Sequence, residues 1–348
     1  MEIIGVLGRL VRGETLAAGE AGDVFHALLA GALDPAQVGA LLALVQARGV
    51  TVDELVGAAT AMRAHVTRVP APELGSPFVI LDTCGTGGAP KTFNVSTAAA
   101  IIAAAAGEHV SPRVLVAKHG NRSRTGRGSA EVLAALGVNV EAAPEAQSRC
   151  LAGAGVCFSF AIHHHPAMRH AAAPRRALGF PTIFNLLGPL TNPAGASRQL
   201  LGVYDAALAA RVAAALHRLG TDLAMVVHSE DGLDEISLGA PTTAFIATRA
   251  GVERRTIEPA SLGMPRVPAA ALEAGSAEES AAIITRILAG EPGPRADLAI
   301  VNAGAALLVS GAAATLEEGV ELARRAVREG LARRTLARLV EESSRPVV

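Results

Sequence analysis

Tryptophan is absent from this chain, tyrosine occurs once, and aromatic residues make up only 3% of it. Burial therefore falls to alanine, leucine and valine, whose small side chains favour close packing of helices. Cysteine is nearly as scarce. Cys84, Cys150 and Cys157 are an odd set with no CxxC spacing, which argues against a disulfide framework or a zinc ribbon and for buried, reduced thiols in a cytoplasmic protein. Neither charge is in excess, the formal net charge being -1. No nucleic-acid partner relying on a broad basic surface is expected, although a local patch survives such a balance. No apolar run approaches the roughly 20 residues of a membrane helix, and Met1-Glu2-Ile3-Ile4-Gly5 has no basic start followed by an apolar segment. What the chain does have is hydrophobic residues, 50% of 348, enough for a large core and more than one lobe.

Residues 1 to about 68 read as helices without strands. Asp34-Pro35 is a cap with proline at the first helical position, and Val38, Leu41, Leu42 and Val45 mark one face before Gly49 closes the helix. Thr51 and Glu54 form a capping box for the next helix, which packs through Leu55 and Met62. Pro70, Pro72 and Pro77 mark a linker. Strands are then expected at 78–81, 114–117, 156–160, 200–203, 223–227, 244–247 and 298–302, with helices between most of them. The expected class is α/β: a small N-terminal helical domain (1–72) and a large α/β domain (73–348) with a mostly parallel central sheet flanked by helices. The helical stretch 163–180, rich in His and Arg, is expected to join the N-terminal lobe. Amphipathic helices are expected from about 316 to 342.

Two segments carry the chemistry. Asp82-Thr83-Cys84-Gly85-Thr86-Gly87-Gly88 runs on to Asn94-Val95-Ser96-Thr97, and Lys118-His119-Gly120-Asn121-Arg122 runs on to Gly128-Ser129. Each follows a short apolar run and leads into an alanine-rich helix. A strand, a flexible loop and a helix start form an anion site, because backbone amides and the helix dipole face the guest. Two such loops point to one ligand with more than one phosphate. For Ser96 and Thr97 the other reading is simple helix capping. Lys118 leaves a buried strand, which is costly unless it meets an anion; the other reading is a surface lysine. Asp234-Glu235, after a strand and the turn 229–232, reads either as a Mg²⁺-binding pair or as an exposed acidic turn. His163-His164-His165 cannot share one ion, since consecutive helical positions point apart. Arg175-Arg176 is either surface charge or a fork for a carboxylate.

The assembled order resembles the anthranilate phosphoribosyltransferase family. The carriers are the two segments above, with Thr92-Phe93 ahead of Asn94, together with His164-His165-Pro166-Ala167-Met168. To these are added the run Phe184-Asn185-Leu186-Leu187-Gly188-Pro189-Leu190-Thr191-Asn192-Pro193 and Gly232-Leu233-Asp234-Glu235-Ile236-Ser237. The match runs nearly end to end.

The resemblance implies an active site at the hinge of two domains, a homodimer formed through the helical lobe, and a reaction. Phosphoribosyl pyrophosphate and anthranilate give N-(5-phosphoribosyl)anthranilate and pyrophosphate, in tryptophan synthesis. By resemblance the donor contacts are Gly85, Gly88, Ala89, Thr92, Asn94, Val95, Ser96, Thr97, Lys118, His119, Gly120, Asn121, Arg122 and Ser129. The implied anthranilate contacts are Gly85, Asn121 and Arg175, and the implied Mg²⁺ ligands are Ser96, Asp234 and Glu235; no acid or base is assigned. Three features depart from the family pattern: a shorter loop at Ala89-Pro90-Lys91, a stretch at 123–127 one residue short with Thr125-Gly126 in place of Ser-Ser, and Pro174 directly before Arg175. The alternatives are a paralogue with another aromatic acceptor, a nucleoside phosphorylase-like enzyme, or a non-catalytic nucleic-acid-binding relative.

Overall fold

The computed structural model describes residues 2–87, 89, 92–123 and 125–346. The chain opens with helices α1 (Ile3–Val11), α2 (Ala18–Leu29), α3 (Pro35–Arg48) and α4 (Val52–Ala64). Asp34 Oδ1 takes the Ala36 amide at 2.8 Å and the Gln37 side chain returns to the Asp34 amide at 3.0 Å, so the start of α3 is fully capped. Gly49, at φ 88°, ends it. The expected capping box of Thr51 and Glu54 opens α4. Glu54 does more than cap. It is completely buried, and its carboxylate takes the Leu16 amide at 3.1 Å, the Thr51 amide at 2.9 Å and Arg48 Nη2 at 2.5 Å.

The large part begins with β1 (Phe78–Gly85), α5 (Val95–Ala106), β2 (Arg113–Gly120), α6 (Ser129–Ala135), α7 (Pro144–Ala154) and β3 (Val156–Phe160). Helices α8 (Ala161–His164), α9 (Arg169–Leu178) and α10 (Phe184–Leu187) follow, then β4 (Arg198–Gly202), α11 (Ala206–Arg218), β5 (Leu223–Ser229) and the strands β6 (Thr242–Thr248) and β7 (Gly251–Ile257). Helices α12 (Ala277–Leu288), α13 (Pro294–Ser310), α14 (Leu316–Arg328) and α15 (Leu331–Ser344) close the chain. The sheet has seven strands in the order β3-β2-β1-β4-β5-β6-β7, parallel from β3 to β5 and antiparallel beyond. Successive strand residues serve opposite faces. Leu200 and Met225 join the core built on α5 and α13, whereas Leu201 and Val226 join the core shared by α11 and the N-terminal helices. Helix α9 packs on α3 and α2, with Ala167 and Ala171 buried in the same core as those helices.

Two sequence expectations fail. Residues 298–302 are not a strand but lie in the middle of α13. That helix is buried on every side, from Leu298 through Asn302 without a break, so its apolar run lacks the 3.6-residue rhythm that marks a half-exposed helix. Conversely, β7 has no counterpart among the expected strands. It is an edge strand whose residues Val252, Glu253, Arg254, Arg255 and Thr256 are all exposed. Charge on such an edge protects it from further pairing and erases the hydrophobic signal.

Candidate active site

Strand β1 sends its helix toward β2, whereas β4 sends α11 toward β5, so the connections diverge between β1 and β4. Ligands of open α/β sheets sit beyond the strand ends at such a point. Here the last paired residues are Gly85 and Gly202, and the turn after β5 closes over them. A Cβ on Gly85 would lie 2.7 Å from Asp234 Oδ2, and one on Gly202 would run into the Asp234 carbonyl. Both glycines are needed for Asp234 to reach the strand ends.

Helix α5 starts against the same place. Its N-cap is Asn94, which makes no side-chain cap bond, so Ser96 and Thr97 sit inside the first turn and are not caps. Thr97 is fully buried, and among the described residues its hydroxyl has no hydrogen-bond partner. Asn94 is tied to α12 instead: its amide donates to Ser280 Oγ at 2.8 Å, and Ser280 Oγ donates back to Asn94 Oδ1 at 3.1 Å. Val95 is buried, and Thr92 bridges to Glu273. Lys118, 3% exposed, is no surface lysine. Its Nζ donates to the Thr83 carbonyl at 2.7 Å and to Ser96 Oγ at 3.0 Å, which links β2, β1 and the first turn of α5. Burial lowers its pKa, and the charges of Asp82, Glu235 and Asp234 oppose that shift.

Asp234 and Glu235 are half-buried, and among the described residues neither forms an ion pair. Desolvation raises both carboxyls. Glu235 reaches about 8, pushed first by burial and then by its neighbour Asp234, while a hydrogen bond from the Ser96 amide opposes the rise. Two adjacent carboxylates short of positive charge, beside the hydroxyl and amide of Ser96, are a donor set suited to a hard divalent cation. Among the described residues no group of three or more His, Cys, Asp or Glu could hold an ion alone. Waters and substrate phosphates must complete such a site, the usual arrangement for Mg²⁺.

The lysine loop also meets the end of α10. His119 is buried with Nδ1 at 3.1 Å from the Gly188 carbonyl, just past the helix, and Arg175 lies over the ring of Phe184 at its start, 5.2 Å from the centroid. Burial lowers the Arg175 pKa, and no carboxylate among the described residues pairs with it. Pro174 lies within α9, which continues to Leu178. Among the described residues, His119 Nε2 and both ring nitrogens of the buried His165 are without partners, the two rings standing 5.2 Å apart. Burial depresses His119 to about 3 and His165 to about 4. Asn121 is exposed, its Oδ1 taking the Arg122 amide at 2.8 Å. Arg122 leans over Phe160 and pairs with Glu141 at 3.3 Å. Ser129 Oγ fills the space beside Gly120, where a Cβ would collide with it.

Ser96, Asp234, Glu235 and Lys118 are thus gathered at one place, with Gly85 under Asp234. His119 and Arg175 are joined only through α10, and Asn121 makes no hydrogen bond to Arg175. Ala89 is half-buried; Gly88, Pro90, Lys91 and Arg124 lie outside the described residues. Sequence reasoning did not reach Ser280 or Gln199, and it named His165 only as part of the histidine run and its motif, with no role for the buried ring. Gln199 follows Arg198 at the start of β4, just ahead of the expected strand 200–203, and carries no local signal of its own.

Comparison with known proteins places the two parts in order. Residues 5–66 match the model of the glycosyl transferase family helical bundle domain, and residues 78–333 that of the family's a/b domain. The anthranilate phosphoribosyltransferase of Thermomicrobium roseum is 48% identical over 339 residues, 96% of this chain and 95% of its own length. That of Rubrobacter xylanophilus is 46% identical, covering 97% of each. Among solved structures, anthranilate phosphoribosyltransferase from Thermus thermophilus superposes with a TM-score of 0.89 at 40% identity, over 99% of this chain and 100% of that one. The Saccharomyces cerevisiae enzyme, solved in complex with PRPP and Mg, gives 0.86 at 25% identity, over 98% of both chains. Such agreement across both the helical and the α/β part means that this chain belongs to the anthranilate phosphoribosyltransferase family.

Proposed function

We propose that the chain transfers the phosphoribosyl group of phosphoribosyl pyrophosphate to the amine of anthranilate and releases pyrophosphate, in tryptophan biosynthesis. The observation that carries this reading is the buried ammonium of Lys118, hydrogen-bonded to Ser96 in the first turn of α5 and within reach of the charges of Asp234 and Glu235. Pyrophosphate departs from the anomeric carbon with its negative charge growing, so charge stabilisation is the main task. Lys118 and the positive end of the α5 dipole do this, and the hydroxyls of Ser96 and Thr97 orient the diphosphate. The loops with Gly85, Gly88, Ala89, Thr92, Asn94 and Val95, and with His119, Gly120, Asn121, Arg122 and Ser129, surround the donor.

Ser96, Asp234 and Glu235 would hold Mg²⁺, which when bound supplies charge neutralisation of the diphosphate. Arg175 fixes the anthranilate carboxylate with its planar fork, beside Gly85 and Asn121, and so aims the amine at the sugar. No strong base is required, since the amine sheds its proton as the new bond forms.

We take the domain division to fall near residue 72, with 163–180 belonging to the helical domain. The pairing surface of a homodimer is assigned to that domain, where Ile4 and Val11 on α1 are 68% and 71% exposed. Among the described residues no helix is long and apolar enough to cross a membrane, and we place the enzyme in the cytoplasm. The fluorescence of anthranilate should fall when enzyme, phosphoribosyl pyrophosphate and Mg²⁺ are combined. Constant fluorescence, with no pyrophosphate released, would refute the assignment.

A further inference from the structure

The pairing of β1 with β2 stops at Leu81 and Val116, yet both strands run on. Beyond that point β1 pairs with β4 as far as Gly85, and β2 with β3 as far as Gly120. A split inside a parallel sheet leaves backbone groups on its two lips that need partners. Side chains supply them. Asp82 Oδ1 accepts from the His119 amide at 3.1 Å, Lys118 Nζ donates to the Thr83 carbonyl at 2.7 Å, and Asn192 Nδ2 donates to the Ala117 carbonyl at 2.8 Å. The first two bonds are reciprocal: a side chain from each strand holds the backbone of the other.

Asp82 is completely buried. Its second oxygen accepts from Gln199 Nε2 at 3.3 Å, and the same amide donates to the Pro189 carbonyl at 2.7 Å. One carboxylate thus connects the base of the glycine loop, the lysine loop and the segment after α10. Burying such a charge is unfavourable, and substituting an apolar residue there would leave the His119 amide without a partner.

We propose that Asp82 is a positioning residue for phosphoribosyl transfer: across the split it sets the spacing of the glycine and lysine loops, so that both meet one diphosphate. The proposal rests on the donor-binding reading given above. Asp82 touches no substrate; it acts through the backbone at His119, next to Lys118. Small displacements of a group aimed at a reacting centre are enough to lose much of its effect.

The test uses the full-length wild-type enzyme with Asp82→Ala and Asp82→Asn, measuring both KM values, kcat, thermal melting, and hydrogen exchange in residues 117–122. Asp82→Ala should raise the donor KM about tenfold, hold the anthranilate KM within about twofold, and speed exchange in 117–122. Asp82→Asn keeps an oxygen for the His119 amide but turns an NH₂ toward Gln199, so its donor KM should rise only about threefold. Wild-type donor KM and wild-type exchange in Asp82→Ala overturn the proposal; should that variant fail to fold, the same result in Asp82→Asn overturns it. Loss of melting temperature and kcat with both KM values held also overturns it, because a purely structural carboxylate would do that. Absence of transfer by the wild type would sink the substrate reading instead, and the exchange arm would still decide the role of Asp82.

Discussion

Lys118 Nζ stands 3.0 Å from Ser96 Oγ, so the cation of one loop is already in hydrogen-bond contact with the helix start that follows the other. The pair brings a positive charge and a hydroxyl to one spot while the lysine stem remains buried. A long flexible side chain has thereby lost its rotational freedom before any ligand arrives, which favours tight binding of an anion. Replacing Lys118 with Met should lower kcat/KM about a hundredfold, as expected for a charge-assisted contact to a developing anion. Steady-state kinetics with varied donor checks this, and activity within threefold of wild type would remove Lys118 from the site.

Arg175 is held over Phe184 and has no carboxylate partner among the described residues. Arg175→Ala should raise the anthranilate KM about 10- to 100-fold, the range of a bidentate ion contact, while the donor KM changes little. Arg175→Lys should recover only part of this, since an ammonium cannot reproduce the planar fork. An unchanged anthranilate KM would refute the role.

Acid should destabilise the protein through its buried rings. Burial holds His119 at about 3 and His165 at about 4, below the ordinary 6.5. Between those values and 6.5 the unfolded chain binds protons that the folded chain refuses. The stability tied to the neutral rings is complete above pH 6.5 and is lost as pH falls through 6.5 toward 4 and 3. Each ring contributes up to about 1.4 kcal/mol per pH unit in that window. Glu235, raised to about 8, works in the opposite sense between pH 7 and pH 5, so the rings are read by difference: on going from pH 7 to pH 5 the double variant His119→Asn, His165→Asn should lose less melting temperature than the wild type, or gain more. An equal slope in the double variant would show that other groups control acid lability.

Glu54 in the helical lobe takes bonds from the Leu16 and Thr51 amides and from Arg48, while Arg48 itself is only 17% exposed. Truncating one member of a buried pair strands the other, so Glu54→Ala should cost about 3–5 kcal/mol of unfolding free energy. Urea titration measures this directly; a loss below about 1 kcal/mol would mean that solvent or a rearranged side chain takes over these bonds.

How far the sequence could be read depended on how local each signal was. The caps at Asp34 and Thr51 are legible because all their parts lie within four residues. Strands β1 and β2 are legible from the apolar runs 78–81 and 114–117, although both strands run on through polar residues to Gly85 and Gly120. Helix α13 misleads, since burial on every side removes the rhythm that separates helix from strand. The site divides in the same way. Lys118 and the Asp234-Glu235 pair stand out by their position after apolar strands. Ser280, which anchors Asn94 from α12, could not be found, because its meaning arises only when distant segments meet. The resemblance supplied Arg175, which no local pattern singles out from its neighbour Arg176.

Because β4 lies beside β1, although β2, β3 and the helices packed on the N-terminal lobe come between them in the chain, the catalytic crevice closes late in synthesis. Its floor cannot form until the ribosome has released Gly202, and the Asp234-Glu235 turn arrives later still. Pairings so distant carry a large loop-closure entropy and slow folding. A nascent polypeptide cut short before Asp234 would lack the Asp234-Glu235 turn and also helices α12 to α15, which complete the core on the α5 face of the sheet.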